Sequence, residues 1–204
     1  NNERVRLPMF AVFARHPWIL TLGMFACLAT FLLFYLMTVF TLSWGTAALH
    51  YPRGQFLILQ MAAMLAFALG IPLSAVVADR YGSRAVLIAA SLAILAFGVL
   101  FAPMFVANDP GAVLIFLALG LFLMGLTYGP LGTALAGLFP TAVRYTGASL
   151  AFNLAGILGA SLAPGIATWL ASHYGLQYVG YYLSAAAALT LIALLLIGKH
   201  RAQS

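Results

Sequence analysis

Three acidic and nine basic side chains in 204 residues leave few places where ion pairing, proton transfer or metal ligation could occur. Asp79, Arg80 and Arg84 crowd into one short stretch, with Gly82 between them. A carboxylate and two guanidiniums so close can make charge-assisted hydrogen bonds or cap helix ends. The remaining acids, Glu3 and Asp109, stand alone. His16, His50, His173 and His200 are scattered, and there is no HExxH pair, no paired carboxylates and no serine with a nearby histidine and acid. Cys27 is the single cysteine, so it forms neither an intramolecular disulfide nor a thiolate zinc site. The residue set argues against an enzyme, and no cofactor or metal is expected.

The other candidates for chemistry are polar side chains inside long apolar runs. They are Tyr35, Thr38, Gln60, Tyr128 and Asn153, with Thr133 beside them. A polar group at bilayer depth costs free energy unless it faces a cavity or a partner. Gln60 and Asn153 carry the strongest signal, because each amide needs both donors and an acceptor satisfied. These five are the candidate substrate-binding residues. Each could equally bind helix to helix.

The elements that must position them follow from composition. A soluble domain is about half apolar and about a quarter charged. This chain is 65% hydrophobic and 6% charged, with a mean hydropathy of +1.08. Such a chain belongs in a bilayer. The net charge of +6 sits between apolar runs rather than in a basic patch with interleaved aromatics, so nucleic acid is not an expected partner. Charge-free gaps predict six transmembrane helices near residues 18–40, 55–77, 85–106, 112–138, 147–171 and 177–197. The runs are apolar throughout and do not alternate as barrel strands would.

Six spans put both ends on one side. That side would hold Arg4, Arg6, Arg15, Arg80, Arg84, Arg144, Lys199 and Arg201, and the other side only Arg53. The positive-inside bias makes both ends cytoplasmic. The stretch 41–54 is expected as a long outer loop, and Asn108–Asp109–Pro110–Gly111 as an outer turn. The short link at Gly82 makes its flanking helices antiparallel neighbours. Gly125, Gly129, Gly132 and Ala136 share a face suited to close helix packing. Ser149, Asn153, Gly156 and Ala160 form a second such stripe, and Pro164–Gly165 should break the fifth span.

Two stretches resemble a known family. Ala75 and Asp79-Arg80-Tyr81-Gly82-Ser83-Arg84 resemble the cytoplasmic signature of the major facilitator superfamily, with Ala75 where that signature has glycine. Phe139, Pro140, Thr141, Val143, Arg144, Tyr145, Gly147, Ala148 and Ser149 are similar to the metabolite:proton symporters of that superfamily. Relatives often carry an acid where Gly137 stands. The resemblance implies an all-α membrane protein, the C-terminal six-helix half of a twelve-helix fold made of two inverted three-helix repeats. The implied division is a leading segment 1–17, repeats at 18–106 and 107–197, and a tail 198–204. The implied function is secondary transport of a small polar or anionic metabolite, with protons, across a bacterial inner membrane by alternating access. The implied partners are the solute, protons, the bilayer and the N-terminal half. The first, second, fourth and fifth spans would line the cavity, and the third and sixth would face lipid. Asp79, Arg80, Gly82, Arg84 and Arg144 would form a cytoplasmic gate, with contacts made in one state and broken in the other. A non-transporting scaffold and a six-helix channel are the alternatives. No charged or carbonyl-rich filter sequence supports a channel.

Overall fold

The computed structural model describes residues 8–105 and 109–203. The expectations for Glu3, Arg4, Arg6, Val106 and Asn108 lie outside them, as do the side chains of Ala160, Lys199, His200 and Arg201. Among the described residues there are helices and no strand. A short helix α1 (Pro8–Arg15) leads into α2 (Pro17–Tyr35), which continues through a π-helical stretch (Leu36–Phe40) into α3 (Thr41–Ala47). Then come α4 (Arg53–Tyr81), α5 (Ser83–Met104) and α6 (Pro110–Ala136). A 3-10 turn (Thr141–Val143) precedes α7 (Arg144–Ile157), a second π-helical stretch (Leu158–Leu162) and α8 (Ala163–His173). The last helix is α9 (Leu176–Gln203). Five rods are long and apolar enough to cross a membrane, and the α7–α8 rod is the sixth span.

Helix packing shows the repeat. α2 packs on α9, α9 on α5, α5 on α6 and α6 on α2, which closes a four-helix ring. α4 lies outside the ring against α6, and α7 lies outside it against α2. Exchanging the rods α2–α3, α4 and α5 for α6, α7–α8 and α9 turns the α4–α6 contact into α7–α2, and α2–α9 into α6–α5. The α5–α9 and α2–α6 contacts map onto themselves. A pair of inverted three-helix repeats has this property.

Small residues make the seams. A Cβ on Gly125 would come 2.6 Å from the Phe67 carbonyl and 3.1 Å from the Gly70 Cα, so α4 and α6 touch backbone to backbone. Gly98 and Gly180 do the same for α5 and α9, and the Ser184 hydroxyl donates to the Leu95 carbonyl across that seam at 2.8 Å. Between α2 and α9 the link is a side chain. The buried Thr190 hydroxyl accepts from the Ala29 amide at 3.1 Å and donates to the Phe25 carbonyl at 2.7 Å. Those are the two ends of one i→i−4 rung of α2.

The core divides by depth. At the end away from the termini, Phe97, Phe101, Phe105 and Phe116 interlock, with Phe105 and Phe116 stacked at 4.9 Å. At the end carrying the termini the core is aliphatic, around Cys27, Leu131, Leu135 and Leu194. Trp169, His173, Tyr174, Tyr178 and Tyr181 form a chain of exposed rings at the α8–α9 turn, where a bilayer's aromatic belt would sit.

Several expectations change. The stretch 41–54 is not a long loop, because α3 extends the first rod and only 48–52 remain outside helices. Thr41 and Thr46 permit this by bonding the carbonyls of Met37 and Leu42. Pro164 and Gly165 do not break the fifth span. Pro164 falls at the start of α8, where its missing N–H costs little, and the irregularity lies one turn earlier as a π-helical stretch. The helices flanking Gly82 are in contact, although α4 packs chiefly on α6. Of the glycine stripe on α6, Gly125 and Gly129 pack on α4, whereas Gly132 has nothing within 4 Å. α5 and α9 each keep an exposed apolar face, with Leu92, Val99 and Leu100 on one and Leu189, Ile192 and Leu195 on the other. The broadest exposed apolar stripe belongs to α4, through Ile58, Met61, Leu65, Leu69 and Val76.

Candidate functional site

Each candidate residue has a traceable position. Gln60 is 8% exposed, and its amide nitrogen donates to the carbonyls of Met37 (2.9 Å) and Thr38 (3.0 Å) and to the Thr41 hydroxyl (3.3 Å). A π-helical turn leaves carbonyls without their α-helical partners. Gln60 therefore supports the irregular turn of the first rod, and its NH2 group is engaged there. Of the two roles offered for it, these bonds supply the helix-to-helix one. Thr38 is half-buried and its hydroxyl donates to the Phe34 carbonyl at 2.6 Å. Tyr35 is half-buried, edge-on to Phe34.

Tyr128 is 42% exposed and leans on Phe67 of α4. Asn153 is exposed on α7 and its amide donates to the Ser149 carbonyl (2.8 Å) and hydroxyl (3.3 Å). Asn153, Ser149, Tyr145 and Gly132 line an open groove of about 250 Å³ between α6 and α7. The open face of Gly132 thus belongs to a groove rather than a helix seam. Tyr145 is 88% exposed on the same rim; the sequence singled it out only through the family resemblance, because an interfacial ring is unremarkable in a membrane helix. The structure brings Thr38 and Gln60 together, and no contact joins them to Tyr128 or Asn153. Along their rods, Thr38 and Gln60 lie toward the end away from the termini, and Tyr128 and Asn153 toward the end that carries them.

The charged motif splits by residue. Gly82 alone separates α4 from α5, at φ +87, a conformation glycine adopts without strain. Asp79 and Arg80 are exposed on the last turn of α4, and among the described residues Asp79 forms no ion pair. Arg84 is half-buried. Its Nε donates to the Leu194 carbonyl at 2.8 Å and its Nη2 to the Leu195 carbonyl at 3.4 Å, with the guanidinium against Gly198. Arg84 thus contacts α9 of the same half. Arg144 is exposed, with long contacts to the Phe139 carbonyl (3.5 Å) and the Thr141 hydroxyl (3.4 Å). Phe139 is buried against Gly147, whose missing side chain makes room for its ring.

Asp109 starts α6, its carboxylate accepting from the Gly111 amide at 2.9 Å. The Tyr51 phenol in the neighbouring loop is pushed above its ordinary pKa by burial and, second, by the Asp109 carboxylate. Among the described residues no cluster of histidine, cysteine and acid could hold a metal ion.

A helix-only bundle with this pairwise exchange and this loop signature has family counterparts. Residues 19–204 match the Major Facilitator Superfamily, and the chain belongs to it as an integral membrane protein. It is 45% identical to the inner membrane metabolite transport protein YhjE of Escherichia coli, over 100% of this chain and 47% of that protein. It is 37% identical to a putative metabolite transport protein of Haemophilus influenzae, over 95% of this chain and 47% of that one. It is 30% identical to the citrate-proton symporter of Salmonella typhi, over 91% of this chain and 43% of that one. The chain spans about half the length of the curated relatives it matches. No solved structure matches it significantly.

Proposed function

We propose that this chain is the C-terminal half of a secondary transporter that moves a small polar or anionic metabolite, together with protons, by alternating access. The observation that carries the reading is the groove between α6 and α7, where Asn153, Ser149 and Tyr145 put hydrogen-bonding groups on an otherwise apolar rod. Relatives named as metabolite transporters and as a citrate-proton symporter support the substrate class and the coupling. Tyr35, Thr38 and Tyr128 would contribute to the same path from α2 and α6. Gln60 would hold the first rod in shape. Among the described residues no acid lies inside a span, so the proton carrier would belong to the other half. Asp79, with Arg80 beside it, would engage that half at the cytoplasmic gate, in one state and not the other.

The test is uptake by the full-length protein in proteoliposomes, driven by a pH gradient, with organic acids and zwitterionic osmolytes as trial solutes. Asn153→Ala should raise KM or lower uptake by about tenfold, the scale of one lost hydrogen bond to a charged solute. Unchanged kinetics would remove Asn153 from the path. In the same assay Asp79→Asn should slow turnover several-fold at nearly constant KM, and a pure change in KM would sink its gating role.

A further inference from the structure

The structure holds a second cavity besides the groove at Asn153. It lies inside the four-helix ring, at the end carrying the termini, and has a volume of about 380 Å³. That falls in the range of small-molecule sites, roughly 300–1,000 Å³. Its walls are aliphatic, with Leu87, Leu131, Ala134, Leu138 and Ile197 among them. Among the described residues, Arg84 is the one charged side chain lining it, and no acid lines it. Two of the five guanidinium N–H groups are engaged by the α9 carbonyls, which fixes the plane of the group and leaves donors over. Gly198 lets it lie flat against α9. The result is an immobilised cation at the edge of an apolar chamber.

We propose that this chamber binds an anionic phospholipid, with one acyl chain against the aliphatic wall and the headgroup phosphate on Arg84. The observations combine as follows. A guanidinium matches a phosphate geometrically, by paired N–H donors. The apolar wall has no use for a hydrophilic anion and gains from each buried methylene. The chamber sits where the arginine-rich end of the bundle meets the membrane surface, the depth at which headgroups are found. The site adjoins the proposed solute groove through Leu135, which lines both, and its test reads lipid binding rather than transport.

The experiment uses full-length protein, stripped of lipid in detergent and titrated in native mass spectrometry. The probes are phosphatidylglycerol, phosphatidylcholine with the same chains, and inorganic phosphate. Phosphatidylglycerol should bind at least tenfold more tightly than phosphatidylcholine. Arg84→Gln should erase that preference, and Arg84→Lys should retain part of it. Ala134→Phe, which fills the chamber, should abolish binding of phosphatidylglycerol, with a thermal melt confirming the fold. Equal retention of the two lipids, or indifference to both Arg84→Gln and Ala134→Phe, overturns the proposal. Inorganic phosphate competing as well as lipid would also overturn it, because the site would then take a free anion.

Discussion

At the scale of single residues, the polar groups inside the spans divide by what holds them. Gln60 and Thr190 are buried and engaged by carbonyls of the first rod. Asn153 is exposed and bonded only within its own turn. The sequence marks Gln60 and Asn153 alike as costly amides, and nothing local to either tells glue from site. The distinguishing fact for Gln60 is a π-helical turn on a helix 22 or 23 residues away in sequence. Tyr51 is a third case. It is 9% exposed, and among the described residues its hydroxyl has no hydrogen-bond partner. Tyr51→Phe should therefore leave the melting temperature at pH 8 unchanged or raise it, since an unpaired buried polar group costs on the order of 1–3 kcal/mol. The folded protein holds the Tyr51 proton more tightly than the unfolded chain does. Its contribution is complete below about pH 10, the unfolded value, and is lost as pH rises through the folded one. Melts at pH 8 and pH 10.5 should show a smaller alkaline loss for Tyr51→Phe than for the native protein. Equal losses would count against the burial and Asp109 effects.

At the scale of elements, the six spans were legible because charge-free gaps of membrane length leave one reading. Their ends were not, because helix does not stop where hydrophobicity does. Thr41, Ser43 and Thr46 read as loop, yet two of them bond carbonyls one turn back and carry the helix onward. The glycine stripe of α6 was legible as a face, but which neighbour each glycine meets depends on where α4 ends and the groove begins. Substitution by alanine separates the two cases. Gly125→Ala forces a methyl group against the α4 backbone and should cost about 1–3 kcal/mol, seen as a melting temperature several degrees lower. Gly132→Ala meets open space and should gain about 0.5–1 kcal/mol from helix propensity. Equal responses from the two glycines would contradict the placement of α4 against α6.

At the scale of the whole molecule, one half of the major-facilitator fold was legible from motif and span count together. The identity of the ring was not, because a span's partners are set by packing across the repeat and not by its own sequence. The α4 stripe and the groove on α7 lie outside that ring, where another half of the protein would meet them. Orientation remains to be read directly. With Cys27 buried, single cysteines at Tyr81→Cys and Ser172→Cys report the two faces. A membrane-impermeant maleimide should label the Ser172 site in intact cells and the Tyr81 site only after permeabilisation. The reverse pattern would invert the topology.

The Thr190 bridge bears on the order of assembly. The hydroxyl that joins the Phe25 and Ala29 ends of one α2 rung belongs to a residue 161 positions after Ala29. Ribosomes extend chains at roughly 5–20 residues per second, so Thr190 emerges on the order of ten seconds or more after that rung. The first rod of this half enters the bilayer with the rung unbridged, and α9, synthesised later, completes it.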